Sequence, residues 1–513
     1  MLKKVMAILL APFILLSTIP VSAEEIEGRD WQDESIYFIM VDRFYNGNTK
    51  NDHSVDLDNL NTYQGGDFAG IMQKLDYLQE MGFTTIALNS IVENTESGYH
   101  GDWALDYRKI NANYGTLKEF KQLVQEAHKR NMKVIVDFNA NHVGPNHPWL
   151  KDSAKEDWFH ERKDVTSASN QEGKQAGWID GLPDLAQENP EVSAYLLDAA
   201  KWWITETNID GYRLNDLEYV SVDFWSNFSK EMKSVKNDFF LLGNGTIENT
   251  SDLVGLQESG IDGVLDKQQM EALREVFAKP DQKMNSLFTI WNERMQTISQ
   301  PHQLGVMVDT EDIPRFTKSM QDHNQFPGTR WELLMTHMYT MPGIPMVYYG
   351  SEIAMNGNEI PDNRRMMDFR TDKDLIEYIG KIAALRKEYP ALRKGTLELL
   401  NEQDGMAVYK REYEDQIMIV AINNSSKTKT IQLDAANLPA SEELRGRLNA
   451  DMVRKSNDTY SITLDRETSE VYLAAEKSGV NYVFIAVIVL VNILFFGFLY
   501  LARRKGKRQN NHN

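Results

Sequence analysis

The chain has 513 residues and a formal net charge of −20. That length exceeds one ordinary domain and suits a barrel with a smaller accessory domain, while the acidic balance argues against nucleic acid as a partner. Cysteine is absent, so disulfides and thiolate metal sites are excluded, and any metal must take oxygen or histidine ligands.

Residues 1–23 read as a secretory signal peptide. Lys3-Lys4 precede an apolar run from Val5 to Ile19, and Val21-Ser22-Ala23 gives a small-residue cleavage site. Ser35 to Phe44 then reads as a nearly continuous apolar strand, as a parallel barrel requires. Phe68 to Met81 has a helical pattern, Thr84 to Leu88 is the next strand, Leu117 to Arg130 the next helix, and Lys133 to Phe138 the third strand. The alternation continues through Gly211 to Asn215, Phe239 to Leu242, Gly263 to Leu265 and Gly305 to Val308, and it closes near Pro345 to Tyr349. Eight such units predict an α/β fold of the (β/α)₈ TIM-barrel type over residues 24–393. The charged, strandless stretch 143–182 is expected to be a loop subdomain inserted after strand three.

Beyond residue 393 the texture changes. Short strands at Met406 to Tyr409, Gln416 to Ala421, Thr430 to Leu433 and Glu470 to Leu473 predict a C-terminal antiparallel β-sandwich over 394–475. A linker, 476–482, leads to an apolar run over 483–502, long enough to span a bilayer. The basic tail 503–513 should stay cytoplasmic. The expected product is a single-pass cell-membrane protein with its N-terminal domain extracellular. An exported chain without cysteine suits a bacterium.

The chemistry centres on Gly211-Tyr212-Arg213-Leu214-Asn215. Residues two apart on a strand share a face, so Arg213 and Asn215 are expected to point into one cavity, and Asp216 out of it. Further landmarks follow the strand ends in order: Gly98-Tyr99-His100-Gly101-Asp102-Trp103, Asp137-Phe138-Asn139-Ala140-Asn141-His142, Gly181-Leu182-Pro183-Asp184, Tyr348-Tyr349-Gly350 and Asp362-Asn363-Arg364-Arg365. Together they resemble the α-amylase family of glycoside hydrolases, in particular neopullulanase- and cyclodextrinase-like barrels, from Ser35 to about Leu473.

The resemblance implies a retaining mechanism with a nucleophile and a general acid, both carboxylates. It places the nucleophile at Asn215 and the acid at Asn244, and an amide serves neither role. The third family carboxylate, which favours the distorted sugar ring, falls on Asp312, with Glu311 where a histidine is usual. The sugar contacts it implies are Tyr99, His100, Asp137, His142, Arg213 and Arg364. Ile360 stands where the family has aspartate.

Three readings follow. The first is a membrane-anchored homologue that binds an α-glucan, such as a maltooligosaccharide, or a cell-surface partner, without efficient hydrolysis. The second is an active α-glucan hydrolase or transglycosylase with a rearranged site built on Glu311 and Asp312, since two adjacent carboxyls raise one another's pKa. The third is a purely structural ectodomain. Without a carboxylate at 215, Arg213 lacks its family partner, and Glu311 is the candidate replacement; Glu248 lies too far into its loop.

Asn46-Gly47-Asn48-Thr49-Lys50-Asn51-Asp52 with Gly65-Gly66-Asp67 is an oxygen-rich loop of the kind calcium takes. The resemblance implies ligands from Asn46, Asn48, Asn51, Asp52, the Gly65 carbonyl and Asp67; a plain Asn/Gly surface turn is the competing reading. A second family calcium site, using the strand-three asparagine, is expected to be missing because Tyr219 replaces its histidine.

Overall fold

The computed structural model describes residues 29–165, 171–245, 247, 250–438, 441–476 and 482–510. The expected signal peptide and Glu248 lie outside these residues, as do 477–481 of the expected linker and the last three residues of the tail.

The chain enters β1 (Ile36–Ile39) and β2 (Thr85–Leu88), makes a small antiparallel hairpin from β3 (Val92–Asn94) and β4 (Ala104–Ile110), and continues through β5 (Lys133–Asn139), β6 (Gly211–Asn215), β7 (Phe240–Gly243), β8 (Gly263–Val264), β9 (Gly305–Val306) and β10 (Ile344–Tyr348). Setting the hairpin aside, eight strands pair in parallel in the order β8-β7-β6-β5-β2-β1-β10-β9. A parallel bridge between Leu265 and Gly305 joins the two ends, so the sheet closes into a (β/α)₈ barrel. Strands β1, β2 and β10 are buried along their whole length, as expected of a sheet covered on one face by helices and filled on the other.

Several strands are shorter than the sequence predicts. The first ends at Ile39, and Val41–Phe44 forms a helical turn instead. There Asn89 Oδ1 accepts the Val41 N–H at 2.8 Å, and the buried Asp42 carboxylate accepts from Gln64 and Gly65 N–H at 2.9 and 3.1 Å. The chain is thus turned across the barrel mouth towards the first loop.

Between β5 and β6 the inserted segment carries two 3₁₀ turns (Pro148–Lys151 and Ser153–Trp158) and a short helix (Gln171–Gln175), held by isolated bridges such as His142–Asp184. The C-terminal part adds β11 (Thr396–Gln403), β12 (Met406–Tyr413), β13 (Gln416–Asn423), β14 (Lys429–Asp434), β15 (Glu443–Gly446), β16 (Met452–Arg454), β17 (Thr459–Leu464) and β18 (Thr468–Ala475). A six-stranded antiparallel sheet, β11-β12-β13-β18-β15-β16, packs with the β14–β17 pair around a separate apolar core. Buried polar groups fix it to the barrel: Arg411 donates to the carbonyls of Thr340 and Leu392, and Asn424 Nδ2 to that of Val276 at 2.9 Å. The last helix, Tyr482–Asn510, contains an apolar window, Ala486–Arg503, of mean hydropathy 2.2, none of it buried among the described residues.

Candidate active site

The register of three adjacent strands builds the site. Across β5 and β6, Asp137 pairs with Arg213 and Asn139 with Asn215. Beyond the end of β7, Asn244 N–H donates to Leu214 O at 2.8 Å, carrying the ladder one residue further. Arg213, Asn215 and Asn244 therefore open onto one end of the barrel lumen, where strand C-termini gather chemistry.

Arg213 is 1% exposed and holds Asp137 with two 2.7 Å hydrogen bonds, from Nε to Oδ1 and from Nη2 to Oδ2. Its Nη2 also contacts Glu311 Oε1, and its guanidinium lies 3.8 Å from the Phe38 ring centroid. Burial works against the Arg213 charge, but the two carboxylates hold it protonated. Burial pushes Asp137 up to about 6, with Arg213 pulling the other way. Asn215 Nδ2 donates to Asp137 Oδ2 at 3.1 Å, and Asn215 Oδ1 accepts from Asn244 Nδ2 at 3.0 Å. Asn215 thus links the Asn244 amide to Asp137. Arg213 Nη1 and Glu311 Oε2 are buried and make no further hydrogen bond.

The loop after β9 supplies Glu311 and Asp312. Its base is fixed by Asp309, which accepts from Phe316 N–H (2.6 Å) and Ser351 Oγ (2.8 Å). Its crest is held by Asn363 Nδ2 and Arg364 Nε, which donate to Glu311 O at 2.9 and 2.8 Å. The two acidic side chains diverge: Glu311, 12% exposed, turns inward to Arg213, while Asp312, 65% exposed, meets Arg364 Nη2 at 3.2 Å on the rim. Crowding by protein, then the charges of Glu311 and Asp102, raise the Asp312 carboxyl. Arg364 also reaches Tyr99 OH at 3.5 Å, and Arg43 lies 4.0 Å from the Tyr99 ring centroid.

His100 Nδ1 lies 2.7 Å from Asp102 Oδ2. Burial opposes the Asp102 charge, yet the His100 contact prevails and holds this carboxyl below its ordinary range. His142 is buried and pushed down to about 4, hence neutral; Nε2 accepts from Asn139 Nδ2 at 3.1 Å, and Nδ1 lies 3.1 Å from Asn141 Oδ1.

Asp216 departs from expectation. The strand stops at Asn215, and Asp216 takes a left-handed conformation (φ 55°, ψ 41°), so period-two alternation no longer applies. Its Oδ2 faces the site, 3.5 Å from His142 Nδ1 and 3.4 Å from Asn139 Nδ2. Burial, then the charges of Asp102, Glu218 and Asp312, push it up to about 8. Asn139, Asn363 and Arg43 also go unremarked by sequence reasoning; the first two lie inside quoted motifs, so their position was the available signal.

In the first loop Asn46 Nδ2 donates to both oxygens of Asp52 (3.1 and 3.0 Å), and a Cβ on Gly65, whose φ is +92°, would lie 2.5 Å from that nitrogen. Asn46, Asp52 and the Gly65 backbone therefore converge. Asp67 caps the helix Phe68–Glu80 through Gly70 N–H (2.6 Å) and accepts from Gly47 and Asn48 N–H at 3.1 and 2.8 Å. Asn51 Nδ2 donates to Asn113 O at 2.9 Å, and Asn48 Oδ1 accepts from Lys50 N–H at 3.3 Å. The Asn46 and Asn51 carbonyl oxygens are buried without partners. Orphaned acceptors beside two carboxylates and a glycine backbone fit a hard cation. Among the described residues no group of three or more His, Cys, Asp or Glu side chains is gathered as metal ligands, so such a cation would need amide and backbone oxygens beside the Asp52 and Asp67 carboxylates. At the second family position, Asn141 Nδ2 donates to Asp184 Oδ1 (2.7 Å) and Tyr219 O (3.3 Å), and His160 Nδ1 lies 2.5 Å from Asp184 Oδ2.

A closed (β/α)₈ barrel with a polar cluster at its strand C-termini and a β-sandwich behind it is an architecture of carbohydrate-active enzymes. A family model described as the α-amylase catalytic domain matches residues 38–387, and one for the α-amylase C-terminal domain matches 395–472. The chain belongs to the α-amylase family of glycoside hydrolases. A β/α-amylase of Paenibacillus polymyxa is 32% identical over 465 residues, covering 86% of this chain and 38% of the relative. The chain spans 38, 63 and 65% of the length of the first three curated relatives it matches, the latter two being cyclomaltodextrin glucanotransferases. Two solved structures align over 88% of this chain and the whole of theirs: an Anoxybacillus α-amylase (51% identity, TM-score 0.87) and a Geobacillus thermoleovorans α-amylase complexed with acarbose (49%, 0.85).

Proposed function

We propose that this chain is a membrane-anchored, extracellular member of the α-amylase family that binds α-glucan without efficient hydrolysis. The observation that carries the reading is the Asn215–Asn244 pair. Both positions that the family resemblance gives to reacting carboxylates hold amides, hydrogen-bonded to each other, with Asn215 also donating to Asp137. A side-chain amide neither forms the glycosyl ester nor donates the leaving-group proton, and general acid catalysis alone contributes about 10²–10⁴ in rate. Around them stand the polar side chains to which the resemblance gives sugar contacts: Tyr99, His100, Asp137, His142, Arg213, Arg364 and Asp312. Beneath that surround, Arg213 Nη1 and Glu311 Oε2 are a buried donor and a buried acceptor without partners. Binding of acarbose by a relative at 49% identity supports the same ligand class.

The apolar helix supports anchoring, with the domain outside and the basic tail inside. In the first loop Asn46, Asn48, Asn51, Asp52, Gly65 O and Asp67 would hold calcium, which would lend that loop structural rigidity. The rival hydrolytic reading through Glu311 and Asp312 meets a geometric obstacle, because these side chains point to different arginines. A scaffold role, with or without a protein partner, is the remaining alternative.

The test is calorimetric titration of the full chain with maltooligosaccharides, alongside an assay for released reducing ends. Binding without turnover is the expected result. Hydrolysis abolished by Glu311→Gln would overturn it in favour of a rearranged site, and absence of binding would leave the scaffold.

A further inference from the structure

A buried guanidinium needs counter-charge, because an unpaired ion in the interior is costly. Arg213 has two carboxylate partners, Asp137 from the neighbouring strand and Glu311 from the loop after β9. Asn215, on the same face of β6, donates to Asp137 and brings no charge. We propose that Glu311 and Asn215 form a compensated pair, in which Glu311 is a positioning residue supplying from across the barrel the negative charge that an aspartate at 215 would bring beside Arg213.

The geometry explains why the two identities are linked. Asn215→Asp alone would set a third carboxylate around one guanidinium, at the 3.1 Å contact with Asp137 Oδ2 that the Asn215 N–H now fills. Two carboxylates sharing such a contact cannot both ionise freely. Glu311→Gln alone would leave Arg213 with Asp137 as its sole counter-ion. Made together, the two changes leave the cluster with one guanidinium and two carboxylates, Asp137 and the new aspartate, so the parent's charge count is preserved. If the chain is non-hydrolytic, as proposed above, restoring carboxylates at 215 and 244 is therefore insufficient to build a working site while Glu311 stays in place.

The experiment is a double-mutant cycle on the full chain, following thermal unfolding at pH 7 for the parent, Glu311→Gln, Asn215→Asp and the combination. Each single change is expected to lower Tm by on the order of 5 °C, and the combination to recover most of that loss. Strictly additive losses overturn the proposal. If Glu311→Gln alone fails to fold, the combination must fold; its failure also overturns the proposal. A second readout is reducing-end release by Asn215→Asp/Asn244→Glu with and without Glu311→Gln. The triple variant is expected to be faster by about tenfold, because removing the Glu311 charge favours the ionised form of the carboxylate restored at 215. Equal rates, zero included, overturn that consequence. Turnover by the parent chain would sink the non-hydrolytic reading alone, since the unfolding cycle decides compensation independently.

Discussion

At the barrel mouth the Asn215 amide bonds to both Asn244 and Asp137, whereas in the first loop Asn46 and Asn51 keep buried carbonyl oxygens without partners. The same side chain does different work in the two places because its neighbours differ. Around Asn215 the unused atoms are of both kinds, the Arg213 Nη1 donor and the Glu311 Oε2 acceptor. In the first loop the unused atoms on Asn46 and Asn51 are acceptors only, next to Asp52. A mixed set can be completed by a hydroxyl or water, while a set of acceptors is best completed by a cation. Amide content alone therefore predicts neither site; the sign of the unmet hydrogen-bonding capacity does.

The most severe way to break the barrel-mouth cluster is to remove the bidentate partner of Arg213. Asp137→Asn is expected to destabilise the full chain by roughly 3–5 kcal/mol, the range for splitting a buried ion pair. Glu311 would remain as the only carboxylate on the guanidinium. Thermal or urea unfolding checks this, and a loss below about 1 kcal/mol, the level of an exposed pair, would mean that the cluster is not tightly coupled to the fold. The first loop should respond to a different agent. Chelation with EGTA is expected to lower stability by about 2–3 kcal/mol relative to calcium at a hundredfold excess over its Kd, and Asn51→Ala or Asp52→Asn should erase that difference. Asn215→Ala should leave the EGTA response unchanged, which separates the two clusters cleanly. An EGTA-insensitive parent chain would return the loop to an ordinary turn.

Much of the barrel was legible because its strands are short apolar runs alternating with helical patterns, and two-residue periodicity correctly put Arg213 and Asn215 on one face. The contact between Arg213 and Glu311 joins residues 98 apart, and no local period encodes it; it was an option in the sequence and became a fact only with the fold. In the C-terminal part β17 was missed although it alternates buried and exposed residues cleanly. Strand β11 gave less to read, since it lies at a sheet edge, carries mostly half-exposed polar residues and slips register between Leu399 and Asn401. Asp216 was misplaced for a more general reason. Alternation holds only while the ladder lasts, and the ladder ends one residue earlier, where Asn215 pairs with Asn139.

That residue gives the gentlest probe of the barrel mouth. Burial and the surrounding carboxylates push Asp216 up to about 8, against about 4 in an unfolded chain. A raised folded-state value means that the native protein binds the proton more tightly than the unfolded one. The resulting stabilisation is complete below about pH 4 and is lost as pH rises through about 8. Asn also tolerates the left-handed conformation that this position requires, so Asp216→Asn removes the titration without straining the turn. The Tm of the parent minus that of the variant is therefore expected to fall steadily between pH 5 and 8 and to level off above about 9. About a third of the Asp216 side chain reaches solvent, so screening should confine the change to a few degrees. A difference that is flat or rises with pH would show that this carboxyl is ordinarily ionised in the native protein. The barrel mouth would then carry one more fixed negative charge beside His142, and its contrast with the cation-seeking first loop would be correspondingly weaker.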